Sequence, residues 1–112
     1  MGAESAGAGD DVGGAALSFE RAIGSRGRGD RQFQSPYGAA ALPGGRLAVA
    51  DEDNHRVVVL DAATGAFERA IGSEGGGDGY FDEPCGVAAL PGGRLAVADS
   101  DNHRVVVLAP TA

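Results

Sequence analysis

Asp99, Ser100 and His103 lie on one short stretch, and together they are the residue types of a nucleophile, its base and an orienting carboxylate. The stretch occurs twice, as ADEDNHRVVVL from Ala50 to Leu60 and as ADSDNHRVVVL from Ala98 to Leu108, and in the first copy Glu52 replaces Ser100. The hydroxyl is therefore not part of the repeated pattern, and three groups on one tight turn cannot converge as a triad must. Asp51 and Asp53 begin like a calcium loop, but His55 takes the next ligand position and the central Gly and distal Glu are missing. His55 and His103 sit at equivalent places and could share a metal only near an axis common to both copies. Cys85 stands where the first copy has Tyr37, a change of size that suits packing better than nucleophilic duty. The sequence contains no lysine, which removes Schiff-base and lysine general-base chemistry. No catalytic residue, no metal site and no cofactor is expected. A structural role accounts for the whole motif. Asp51 with Arg56, and Asp99 with Arg104, bracket a four-residue connection and can pair across the end of a hairpin, while Asn54 and Asn102 tolerate left-handed turn geometry.

The elements that must position these residues belong to a chain of 112 residues, enough for one modest core. A net charge of −7 argues against a general phosphate-neutralising surface, since nucleic-acid affinity rests on clustered Lys and Arg. One cysteine cannot close an intrachain disulfide, which favours a reducing compartment. The start, MGAESAGAGDDVGG, carries acids where a secretory signal carries bases, and no stretch approaches the roughly 20 apolar residues of a membrane helix. The expectation is a soluble cytoplasmic protein with no membrane partner.

Placing Phe19 on Phe67 sets an offset of 48 that holds without a gap to Leu60 on Leu108; nine differences over 42 aligned positions leave 33 identities. Each period reads as YGAAAL, RLAVA, RVVVL and AFERAI separated by PGG, DEDNH and DAATG, which is four short strands divided by turn formers. The class is all-β. Strict alternation would leave one wet face, whereas the continuous run VVVL predicts strands covered on both faces, as in four-stranded blades stacked around an axis. Ala39, Ala40, Ala41, Ala48 and Ala50 supply small residues where blades approach most closely.

The stretch GDGYFDEPCGVAALPGGRLAVADSDNHRVVVL resembles the NHL repeat, with its spaced Gly, Phe, Pro, Gly-Val-Ala, Ala-Asp and Asn-His-Arg-Val. The first copy carries the same marks at Phe33, Pro36, Gly38, Asp51, Asn54, His55 and Arg56. The resemblance covers Phe19 to Leu108 and implies two β-propeller blades flanked by a disordered Gly/Ala/Asp-rich tail over 1–18 and a short C-terminal tail over 109–112. Proteins with such repeats include ubiquitin ligases with an added RING, RNA regulators, sensor kinases and amidating lyases. One Cys and two His cannot build a RING, and the lyases use more metal ligands than two histidines supply.

With YGAAAL innermost and FERAI outermost, the first FERAI at Phe19–Ile23 is an outer strand ahead of its blade, so the order is permuted. Two blades do not close a ring of four to eight. The chain is expected to be a fragment of a longer repeat protein or to close as a homo-oligomer, three copies making six blades. Between outer and inner strands the copies disagree. Arg26, Arg28 and Arg31 face Glu74, Gly76 and Gly79 in the alignment, and the second copy adds Asp82 and Glu83, whereas the other six arginines all recur 48 positions away. Loops on a rigid scaffold carry recognition. Arg26, Arg28, Arg31, Phe33, Tyr37, Glu74, Asp82 and Glu83 are therefore the candidate binding residues. The leading function is a noncatalytic protein-interaction module, such as the substrate-recognising part of a ubiquitin-ligase-like protein. RNA binding through Arg26–Arg31 with Phe33 and Tyr37, or a piece of a propeller hydrolase or lyase, are the alternatives.

Overall fold

A computed structural model describes residues 10–12 and 15–111. Its strands are β1 (Asp10–Val12), β2 (Ala15–Leu17), β3 (Ser25–Arg26), β4 (Gln32–Phe33), β5 (Pro36–Leu42), β6 (Arg46–Asp51), β7 (Arg56–Asp61), β8 (Phe67–Ile71), β9 (Pro84–Leu90), β10 (Arg94–Asp99) and β11 (Arg104–Leu108). Among the described residues helical structure is limited to single 3₁₀ turns, so no helix is long and apolar enough to cross a membrane. Strands β5-β6-β7-β8 form one antiparallel meander, the first blade, and β9-β10-β11 form the second.

Turn chemistry sets the register of each meander. Pro43 leads into Gly44 and Gly45 at φ 82° and 74°, a backbone that only glycine adopts without strain, and Leu42 then pairs with Arg46. After β7 the Asp61 carboxylate accepts the N–H groups of Ala63 (2.8 Å) and Thr64 (2.9 Å), closing the turn to β8. Those bonds, the Thr64 N–H foremost, hold the Asp61 carboxyl below the usual carboxylate range.

The two blades stack through opposite faces. From the first, Ala48 and Val57, with Ala40 beside them, meet Phe81, Leu95 and Val97 of the second. Gly38 marks a close backbone-to-backbone approach: a Cβ there would lie 3.2 Å from both the Cys85 carbonyl oxygen and the Gly86 Cα. On the far face of the first blade, Phe33, Val58 and Leu60 pack together with Ile23, Leu47 and Val49. Covered from both sides, Val57, Val58, Val59 and Leu60 are at most 4% exposed. Burying each such side chain contributes about 1.5–3 kcal/mol, so this run is the centre of the fold.

Three expectations are corrected. Coverage of both faces holds for β7 alone, because in β11 Val106 and Leu108 pack against the first blade while Val105 and Val107 remain 69% and 54% exposed. Identical strands differ here because one has a neighbour on each side and the other has a neighbour on one. Of the five alanines, Ala40, Ala48 and Ala50 approach the other blade or are buried, but Ala39 and Ala41 are exposed. Phe19–Ile23, expected as an outer strand, is not paired into a sheet: Phe19 is 80% exposed, although Ile23 packs on the Phe33 cluster and Arg21 Nη1 donates to the Ala62 carbonyl at 3.1 Å. The N-terminal tail lies mostly outside the described residues, and its described part holds the short ladder of β1 on β2.

Candidate functional site

The repeated motif and the loop that differs between copies form a single unit. Asp51 is fully buried and accepts three donors: the Gln34 N–H at 2.7 Å, Asn54 Nδ2 at 2.9 Å and Arg56 Nε at 2.9 Å. The guanidinium then reaches past Asp51, and Arg56 Nη2 donates to the carbonyls of Gly29 (2.9 Å) and Gln32 (2.8 Å), while Asn54 Nδ2 also donates to Gly27 (2.8 Å). The second blade repeats this arrangement. Asp99 accepts the Asp82 N–H at 2.7 Å, Asn102 Nδ2 at 2.8 Å and Arg104 Nε at 2.8 Å. Arg104 holds the Gly76, Gly77 and Tyr80 carbonyls, and Asn102 holds that of Gly75. Burial opposes the charge on Asp99, but the Asn102 amide, the Asp82 N–H and Arg104 outweigh it and keep the carboxyl below its ordinary range.

The expected pairing of Asp51 with Arg56 and of Asp99 with Arg104 is present. The left-handed residue is not the asparagine, however: His55 and His103 take φ 53° and 55°, because each asparagine amide is engaged by the aspartate and the loop carbonyl. Sequence reasoning missed that the motif braces the loop before each blade. Its signal was Gly27 and Gly29 recurring as Gly75 and Gly77, with Asp30 and Phe33 as Asp78 and Phe81, inside a loop whose other residues diverge. With both Asp99 oxygens occupied, Ser100 and His103 gain no orienting carboxylate from it.

On these braced backbones the side chains diverge. Arg26, Arg28 and Arg31 are exposed on the first loop, with Glu74 exposed and Asp82 and Glu83 half-buried on the second. Tyr37 is 68% exposed, whereas Phe33 is 9% exposed and anchors the loop against Val58 and Leu60. The Glu83 N–H donates to His55 Nδ1 at 3.1 Å, joining the two blades at the rim. A ring nitrogen accepting that proton is unprotonated, so the 3.6 Å approach of Asp82 to it is not an ion pair. Asp101 first, then burial, Glu52, Asp53 and Asp82, push the Glu83 carboxyl above its usual range. Beside the first loop lies a hollow of about 560 Å³ lined by Ile23–Arg26, Phe33–Pro36 and Asp53.

The NHL repeat profile matches residues 33–60 and 81–108, the two spans that run from the buried phenylalanine to the end of the third strand of each blade. This chain belongs to the NHL-repeat family. NHL repeats generally form β-propeller modules for protein interaction and are typically noncatalytic scaffolds. No curated protein matches the chain. In each NHL repeat of this chain the recurring Asp, Asn and Arg brace the loop that enters the repeat.

Proposed function

We propose that the chain is a noncatalytic, cytoplasmic protein-interaction module that reads a partner segment along the rim formed by its two braced loops. The observation that carries this reading is their opposite charge on a common backbone. Residues 25–35 hold three Arg and one Asp, a balance of +2, and residues 73–83 hold Glu74, Asp78, Asp82 and Glu83 with no base, a balance of −4. A segment carrying acidic residues against Arg26, Arg28 and Arg31, and a Lys or Arg against Glu74, Asp82 and Glu83, complements both loops. Crowded carboxylates that raise the Glu83 pKa favour such a cation, since it relieves their repulsion. In a ubiquitin-ligase-like protein this rim would supply substrate recognition, with catalysis residing elsewhere.

Peptide display panned on the chain, followed by affinity measurement at rising salt, tests the reading. Segments of mixed charge should be enriched, and R26E/R28E/R31E should weaken them at least about tenfold, roughly 1.4 kcal/mol. Enriched segments indifferent to that triple change and to salt would end the proposal. Exposed Tyr37, six residues after Arg31 in the sequence, favours RNA as a second reading, because it offers an aromatic surface on which a base can stack. Salt-sensitive retention of single-stranded RNA, lost in the same triple variant and in Tyr37→Ala, would select it.

A further inference from the structure

The bare face of the second blade repeats, residue for residue, a face that is already covered in the same molecule. Gly38, Ala40, Ala48, Ala50, Val57 and Val59 of the first blade recur as Gly86, Ala88, Ala96, Ala98, Val105 and Val107. The first set holds the core of the interblade contact, where Ala48, Ala50, Val57 and Val59 are at most 4% exposed, while Val105 and Val107 are open. The complementary surface is open too, at the other end of the molecule: Ala39, whose counterpart Val87 packs between the blades, is exposed.

The remaining parts of the contact are also present. Among the described residues β11 is an edge with no fourth strand, and Phe19–Ile23, which enters no sheet there, is a copy of β8, identical in sequence through Ser25 and Ser73. That copy already holds the position its twin holds: Ile23 packs on Phe33 as Ile71 packs on the Phe81 cluster. His103 is exposed where His55 accepts the Glu83 N–H. The hollow of about 560 Å³ is bounded by Ser25, Arg26, Phe33, Gln34 and Ser35, the counterparts of Ser73, Glu74, Phe81, Asp82 and Glu83 around His55.

We propose that a second copy of this chain docks head to tail on the second blade, lending Phe19–Ile23 as the fourth strand of that blade. The register follows from the internal pair, in which Val57, Val58 and Val59 oppose Ile71, Ala70 and Arg69: Val105, Val106 and Val107 oppose Ile23, Ala22 and Arg21 of the second copy. Phe33 of that copy seats on Ala96 and Val105 as Phe81 seats with Ala48 and Val57, and His103 enters the hollow to accept the Ser35 N–H. Where Glu52, Asp53 and Glu83 crowd three carboxylates at the internal junction, the new junction brings Ser100, Asp101 and Ser35, so two of the three like charges are gone. The contact is heterologous, and each added copy presents the same free face. A ring of two to four copies closes it within the usual blade number.

Sedimentation velocity and native mass of the full chain decide the matter. The wild type should run as a multimer, with deuterium exchange at Arg104–Leu108 slowing as concentration rises. Val107→Glu spoils one face and Ala39→Glu the other, both at positions exposed in the single chain, so each should remain folded by circular dichroism and become monomeric. Mixed together, they should form a dimer of one copy of each, through the two faces left intact; Val105→Glu substitutes for the first variant should it fail to fold. A wild type monomeric at its solubility limit, variants that assemble as the wild type does, or a mixture that stays monomeric would each overturn the proposal.

Discussion

At the scale of the residue, Asp51 and Asp99 do more than their neighbours because each satisfies three donors from inside the protein. Asp51→Ala orphans the Gln34 N–H, one N–H of the Asn54 amide and Arg56 Nε, and a buried donor left unpaired costs about 1–3 kcal/mol. The urea midpoint should fall by a corresponding amount, and amides of residues 27–34 should exchange faster, since the brace of their loop is gone. Acid acts through the same group. The Asp99 carboxyl is held below its unfolded value, so its contribution is complete above the unfolded carboxylate range near pH 4 and is lost as pH falls through the folded value. Melting temperature should therefore drop as pH falls below the ordinary carboxylate range near about 4, and Asp99→Asn, which cannot titrate, should flatten that drop. The pairing of Asp with Arg was legible from the sequence. That the guanidinium continues to the loop carbonyls was not, because it depends on a loop some 24–27 residues away folding over the turn.

At the scale of the element, identical strands acquire different roles from what covers them. Gly38→Val drives a side chain into the Cys85 carbonyl and the Gly86 backbone at 3.2 Å, and overpacking of that kind costs about 1–3 kcal/mol. Gly86→Val meets only the Ala98 Cβ at 3.8 Å, so thermal melts of the dilute chain should show a clearly smaller loss. Equal losses would mean that the two positions do not differ in cover. The strand order within a blade and its hairpins could be read directly, because PGG and the Asp61 turn act locally. The fate of Phe19–Ile23 could not be, since a strand exists only where another strand offers its edge.

At the scale of the whole molecule, the 48-residue offset acts as an operator that carries each blade onto the next, and its one internal application leaves Val105 and Val107 open at one end and Ala39 at the other. Protection from exchange should follow that asymmetry in the dilute chain. The amides of Val57–Leu60 should be the slowest, while those of Val105–Leu108 exchange faster despite identical sequence. Hydrogen exchange read by mass spectrometry checks this, and equal protection at low concentration would contradict the one-sided cover of β11.

The sequence by itself determined the strands of the two meanders, their order and Ala40, Ala48 and Ala50 among the small residues at the blade contact, because turn propensity and the spacing of apolar residues are local and appear twice. It also marked the loop where the copies part, since charge that does not repeat is visible without coordinates. Only the tertiary structure decided that Asp51, Asn54 and Arg56 brace that loop, that His55 takes the left-handed turn and links the blades, and that the two VVVL runs differ in exposure. Those outcomes depend on which surface lies against which, and two identical stretches of sequence cannot say which of them has a neighbour.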